Sequence, residues 1–228
     1  MCNLLLTFDF HYDTMARYKS ILQFRGSLDG LVFYQLNGIP VVRKKSGFDK
    51  NSFKTKDNYA RVRENSSEFG HCSKVGKMLR HATRPFSEKS GDQFLYQSFA
   101  KLMTEIKDLD RFSDRGKRSV AQGLKTEVGK KLLANFVFGK LDSIKAFIKT
   151  VSIDDKINVV LEQNTEAEQI HLISVLPNYS KYSFDRKEET MMVNGENRFS
   201  FEKHFEEEDV VYFLVLSRGK EVLAIGFL

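Results

Sequence analysis

The apolar residues of this chain change their repeat near residue 147, from a helical spacing of three and four to an alternation of two. No single regular element accommodates both periods, so the chain must be a helical part followed by a β-rich part. Charge changes at nearly the same place. Residues 1–150 carry 28 Lys and Arg against 15 Asp and Glu, whereas residues 151–228 carry 8 against 15. A basic half is thus joined to an acidic one, and such asymmetry points to two regions with different partners.

Ahead of the helices a short β-region is expected. Leu31–Leu36 and Ile39–Arg43 flank Asn37-Gly38, and this dipeptide between apolar runs predicts a hairpin with a type I′ turn. Pro40 lacks an N–H and belongs at an edge or a strand start. Ile21–Arg25 would add a third strand, with Gly26 and Gly30 around a turn, and the polar run 46–56 reads as a loop.

A long helix is predicted from Asp57 to about Thr83, ahead of Pro85. Its stripe is Val62, Phe69 and Gly76, with Cys72 and Leu79 interleaved, and its small residues favour close packing on another element. A second helix fits Asp92–Leu109. A third fits Ser119–Phe138, weakened by Gly123 and Gly129, with a break near Lys125. Seven short strands follow, between Ile157 and Phe227, with turns at Asn194-Gly195 and Arg218-Gly219. The expected fold is α+β: an N-terminal β-hairpin plus helical region, then a C-terminal antiparallel β-sandwich of immunoglobulin-like architecture. The domain boundaries drawn are 1–14 as an extension or mis-called start, 15–146 as the basic domain and 147–228 as the acidic one. Twenty Phe and no Trp supply core material that has no polar tip to satisfy.

Enzyme and cofactor signatures are missing from the sequence. Gly116-Lys-Arg-Ser119 has Arg111 where a phosphate-binding loop needs its first glycine. Asp108, Asp110 and Asp114 read as a helix end and the next helix's cap, since Phe112 and Arg115 break any calcium-loop pattern. His71 and Cys72 are neighbours on a helix and point some 100° apart, which is poor geometry for one metal. No cofactor and no metal site is expected. Two cysteines, no signal segment and no apolar run long enough for a bilayer suggest a cytoplasmic protein without membrane insertion.

Two surfaces remain as candidates. Arg43, Lys44, Lys45, Arg61, Arg63, Arg80, Arg84, Arg115, Lys117 and Arg118 would contact an anionic partner or nucleic-acid phosphates. Glu206, Glu207, Glu208 and Asp209 would form an acidic interaction surface. These features suggest a non-enzymatic interaction or assembly protein whose partner is another protein, including other copies of itself. Nucleic-acid binding through the basic half is the alternative.

Gly26-Ser-Leu-Asp-Gly-Leu-Val-Phe-Tyr34, Val42-Arg43 and Ala60-Arg-Val-Arg-Glu-Asn-Ser-Ser-Glu-Phe-Gly70 together resemble a group of short uncharacterised proteins from Bacteroidota genomes. In that group a glycine-bracketed hairpin also precedes an Arg-Glu-Asn helix, with a β-rich tail behind. The resemblance implies a start at Met15 and a hairpin-plus-helix module over residues 15–85. It brings no activity with it.

Overall fold

A computed structural model describes residues 15–18, 24–45, 50–162 and 165–228. Two compact units divide between Tyr59 and Ala60. Residues 1–14 and most of the strand expected at 21–25 lie outside the described residues.

The first unit is a four-stranded antiparallel sheet of β1 (Met15–Arg17), β2 (Gly26–Leu28), β3 (Leu31–Leu36) and β4 (Ile39–Lys44), in the order β1-β4-β3-β2. Asn37 and Gly38 both take positive φ, 52° and 80°, which is the type I′ requirement that selected this dipeptide. Asp29-Gly30 repeats the device between β2 and β3. Part of the expected loop is a helical turn, α1 (Lys50–Thr55).

The second unit begins with α2 (Ala60–Ala82). Its buried positions are Glu68, Cys72, Val75, Gly76, Met78, Leu79 and Ala82. The stripe expected at Val62 and Phe69 is therefore misphased, and those side chains are 50% and 61% exposed. A seven-residue repeat drifts about 20° per heptad on a 3.6-residue helix, whereas the positions that face the core are spaced 68, 72, 75, 79, 82. Cys72, Gly76 and Leu79 are the shared positions. An added Cβ on Gly76 would lie 3.5 Å from Phe99 and Met103, so α2 packs closely on α4 (Leu95–Lys107). Between them runs the short α3 (Arg84–Ser87), with Pro85 in its first turn.

The break near Lys125 is present. α5 (Val120–Leu124) and α6 (Glu127–Ala134) each start on a hydroxyl cap: Ser119 Oγ accepts from Gln122 N–H, and Thr126 Oγ1 from Gly129 N–H. The two glycines serve packing here. A Cβ on Gly123 would sit 1.9 Å from the Ile106 carbonyl oxygen, and one on Gly129 would sit 2.1 Å from that of Gly123.

The remaining strands form two sheets. β5 (Asp142–Ser143), β8 (Gln169–Asn178), β9 (Ser183–Met192), β11 (Val211–Arg218) and β12 (Glu221–Phe227) make a five-stranded sheet ordered β5-β12-β11-β8-β9, with β5 parallel to β12. β6 (Ile148–Ile153), β7 (Lys156–Leu161) and β10 (Arg198–Glu202) make an antiparallel three-stranded sheet ordered β10-β7-β6. The strands expected at Tyr182–Phe184 and Glu189–Val193 are one strand, β9, and the intervening Asp185–Glu188 are the charge load of a sheet edge, which discourages pairing with another chain.

The strands β8, β11 and β12 of the larger sheet are buried on both faces. Leu172, Leu214, Leu216 and Ala224 meet Ile157, Val159, Phe199 and Phe201 of the smaller sheet. Ile173, Val175, Phe213, Val215 and Phe227 meet the helices. There Phe99, Phe136, Phe138, Phe213 and Phe227 form a linked ring cluster, with centroids 4.6–6.2 Å apart. A bulge between Leu216 and Ser217 inserts Leu223 opposite, so Val222 and Ile225 both turn to the helices despite a spacing of three. Gly226 faces the other way, where a Cβ would come within 2.6 Å of Ile144.

The class is mixed helix and sheet, with several sheets. Helices cover one outer face of the larger sheet. The boundary expected at 146/147 runs through this shared core.

Gly123→Ala should lower stability by about 2 kcal/mol or more through overpacking, while Gly70→Ala, in open space on α2, should raise it by up to ~1 kcal/mol. Urea unfolding of the two variants checks both signs.

Candidate functional site

Glu68 is the one acid on the buried face of α2, at 3% exposure. A carboxylate so placed needs cations and donors around it, and two segments supply them. Arg118, in the loop after α4, grips it with two hydrogen bonds, Nε to Oε1 at 2.8 Å and Nη2 to Oε2 at 2.6 Å. Lys107, on the last turn of α4, donates at 2.7 Å, and Gly116 N–H adds a fourth bond at 2.7 Å. Asp108 completes the group, accepting from Lys107 at 2.6 Å and pairing with Arg118 at 3.1 Å. The Arg118 hydrogen bonds, with those of Lys107 and Gly116, overcome burial and hold the Glu68 carboxyl down to about 2. Burial alone would lower Lys107, but Asp108 and Glu68 turn its shift upward.

The loop that carries Arg118 is itself held by Asp110. Its Oδ1 accepts from Phe112 and Ser113 N–H, and its Oδ2 from Ser119 N–H at 2.9 Å. The acid cluster Asp108, Asp110 and Asp114 is thus a loop staple and an ion-pair member. Among the described residues no group of His, Cys, Asp and Glu is arranged to hold a metal ion.

His71 lies beside this clamp. Its Nε2 accepts from Val120 N–H at 3.1 Å, which leaves the proton on Nδ1 to be donated to Tyr182 Oη at 3.2 Å. Burial, and then the Lys74 charge, lower its pKa, so the ring stays neutral. Cys72 points elsewhere, fully buried and 3.5 Å from the Met103 carbonyl, and burial pushes its thiol up. The two share no ligand geometry. A cleft of about 440 Å³ opens above the clamp, between α2, residues 116–119 and Tyr182.

The ten expected basic residues separate into groups. Arg43, Lys44 and Lys45 are exposed at the end of β4 in the first unit. Arg61 is exposed and Arg63 half-buried at the start of α2. Arg118 is spent on Glu68. Arg115 binds Asn65 at 2.9 Å and faces Glu64 at 3.5 Å, Arg84 binds Glu88 at 2.6 Å, and Lys117 faces Asp114 at 3.6 Å. Arg80 is half-buried, and its Nε is buried with no hydrogen-bond partner among the described residues. Burial pushes its guanidinium below its usual range.

The acidic run behaves differently from a bare patch. Glu206, Glu207, Glu208 and Asp209 line a cleft of about 620 Å³ that also contains Lys125, Lys130 and Lys203. Glu206 faces Lys203 at 3.6 Å. Tyr179 lies in the same cleft, its phenol pushed up by burial and by the Asp209 charge.

Two features escaped the sequence reading. Glu68 stands four and seven residues before Cys72 and Val75, so correct phasing of α2 would have exposed a buried acid that demanded cations. His171 bonds Ser217 Oγ through Nε2 at 2.9 Å and Thr190 Oγ1 through Nδ1 at 2.8 Å, with Glu188 3.8 Å away. The set resembles a nucleophile–base–acid row, but Ser217 is only 3% exposed and the Phe86 ring packs on the imidazole at 5.0 Å. It crosslinks strands β11, β8 and β9. No protein-family model, curated protein or solved structure matches the chain.

The Glu68 pKa is depressed on folding, so its contribution is complete above the usual 4.5 and fades as pH falls toward 2. Glu68→Gln should cost about 3 kcal/mol at pH 7, and the fall of stability with pH across that interval should become shallower by the share that Glu68 supplies, the shares of Asp110 and Glu202 remaining. Thermal unfolding of both proteins from pH 7 to 2 checks it, and equal stability at pH 7 would contradict it.

Proposed function

We propose that the chain is a non-enzymatic interaction protein that docks a protein partner, including further copies of itself, through the sheet of its first unit. One observation carries this reading. Leu28 and Leu31, paired across β2 and β3, are 64% and 40% exposed, and Phe24 beside them is 46% exposed on the Phe33 ring. Val41 is the only apolar side chain of this unit that is buried among the described residues. A small sheet gains stability by covering such a face, and Arg25, Arg43, Lys44 and Lys45 around it favour a partner with acidic groups at its rim.

The second unit is the scaffold of the pair, and its stacked sheets are what we take the expected immunoglobulin-like module to be. Complementary-charge contacts between halves would be a weaker force, because the acidic run has three lysines in its own cleft. The nucleic-acid alternative loses Arg118 to a buried carboxylate, while Arg84 and Arg115 sit in exposed pairs and Arg43, Lys44, Lys45 and Arg61 are exposed. Among the described residues no helix is long and apolar enough to cross a membrane.

Light scattering after size exclusion, at low and high salt, tests the proposal. Self-association through the sheet should persist at high salt and disappear in a Leu28→Asp, Leu31→Asp variant. Association that dissolves with salt, or that the variant leaves untouched, would overturn the apolar-face reading.

A further inference from the structure

We infer that the cleft above the Glu68 clamp is a binding site for a small phosphate-bearing or equivalent oxyanion ligand, independent of the sheet face. Its charge is the first reason. Glu68, Asp108, Lys107 and Arg118 neutralise one another, so the charges left facing the cleft are Lys74 and Lys117. The Lys74 ammonium lies 4.8 Å from the centre of the Tyr182 ring and pairs with no carboxylate among the described residues. Lys117 reaches Asp114 only at 3.6 Å, with both side chains about four-fifths exposed at 77% and 85%. A pair of that kind contributes little and gives way to a better acceptor.

The second reason is the supply of neutral donors. Ser66 and Ser67 line the same cleft from α2. Ser119 Oγ accepts from Gln122 N–H, which leaves its own hydroxyl proton to donate. Tyr182 Oη accepts from His71, so its proton is likewise directed to another acceptor. Two ammonium groups and four hydroxyls match the several oxygens of a phosphate better than the two of a carboxylate.

The third reason is what the fold gives up here. Gly70 lies inside the 23-residue helix α2 and lines the cleft, yet a Cβ on it would meet nothing within 4 Å. Glycine at such a place costs about 1 kcal/mol relative to alanine, and no close approach requires it, unlike Gly76. A long side chain at this position would project into the cleft. Tyr182 adds a second cost: its φ is +53°, a left-handed conformation that a side chain disfavours. The His71 hydrogen bond and the Lys74 ammonium hold its ring over the cleft. Strain of this kind collects where a geometry is used.

Isotope-labelled full-length protein titrated with inorganic phosphate, against chloride at matched ionic strength, tests the site. Saturable amide shifts are expected at residues 66–74 and 116–119. Lys74→Ala with Lys117→Ala should weaken binding about tenfold or more, which is ~1.4 kcal/mol. Gly70→Leu should abolish binding while leaving the melting temperature equal or higher, which separates a blocked site from a misfolded one. Absence of saturable shifts, or shifts indifferent to both variants, would overturn the inference. So would shifts at these amides with a short mixed-sequence oligonucleotide but none with phosphate, which would make the cleft a nucleic-acid contact.

Discussion

A carboxylate removed from water has to be answered by charge, and in the second unit that requirement organises three separate segments. Glu68 on α2 draws in Lys107 from the end of α4 and Arg118 from the loop that follows. The loop backbone is committed too, through Gly116 N–H. Breaking any one partner leaves a buried charge uncompensated, which is far more costly than losing a surface pair. The clamp therefore sets where residues 108–119 run, and hence where α5 begins and how its Gly123 can approach α4. The cleft inherits its walls from the same constraint.

Charge counts along a sequence do not distinguish a cation that is available from one that is consumed. Lys117 and Arg118 are neighbours in the chain and look equivalent there. In three dimensions Arg118 is saturated by two carboxylates while Lys117 retains only a long, exposed contact. This difference redistributes the function suggested by the basic half. Its surface is reduced to the strand end at Arg43–Lys45, the start of α2 and a two-lysine cleft. The apolar face on β2 and β3 becomes the more informative interaction feature, because its exposure opposes the hydrophobic effect whereas exposed lysines oppose nothing.

Much of the local structure was legible because it follows from short-range rules. Asn37-Gly38 gave its turn, the apolar face of α4 its helix, and Lys125 its break, since each depends on residues within a few positions. The phase of α2 was not legible, because Val62 and Phe69 are apolar yet exposed, while the decisive buried position is an acid. Gly123 and Gly129 were read as propensity costs, and their role depends on Ile106 and on a backbone that only the tertiary fold brings near. The extent of β9 was hidden for a related reason: charges on an edge strand erase the alternation that marks it. The partners of Arg115 and Arg118 lie about 50 positions away and leave no sequence signature.

The bulge at Leu216/Ser217 has a consequence for how the last strand finds its place. With Leu223 looped out, Gly226 lands against Ile144 and Phe227 against the aromatic cluster. A slip of one residue would drive the Phe227 ring toward a point where even a single methyl collides, and would leave a void among the Phe rings. The error is rejected by volume before any hydrogen bond is counted. β12 thus carries its own proofreading, written in the size difference between two adjacent residues.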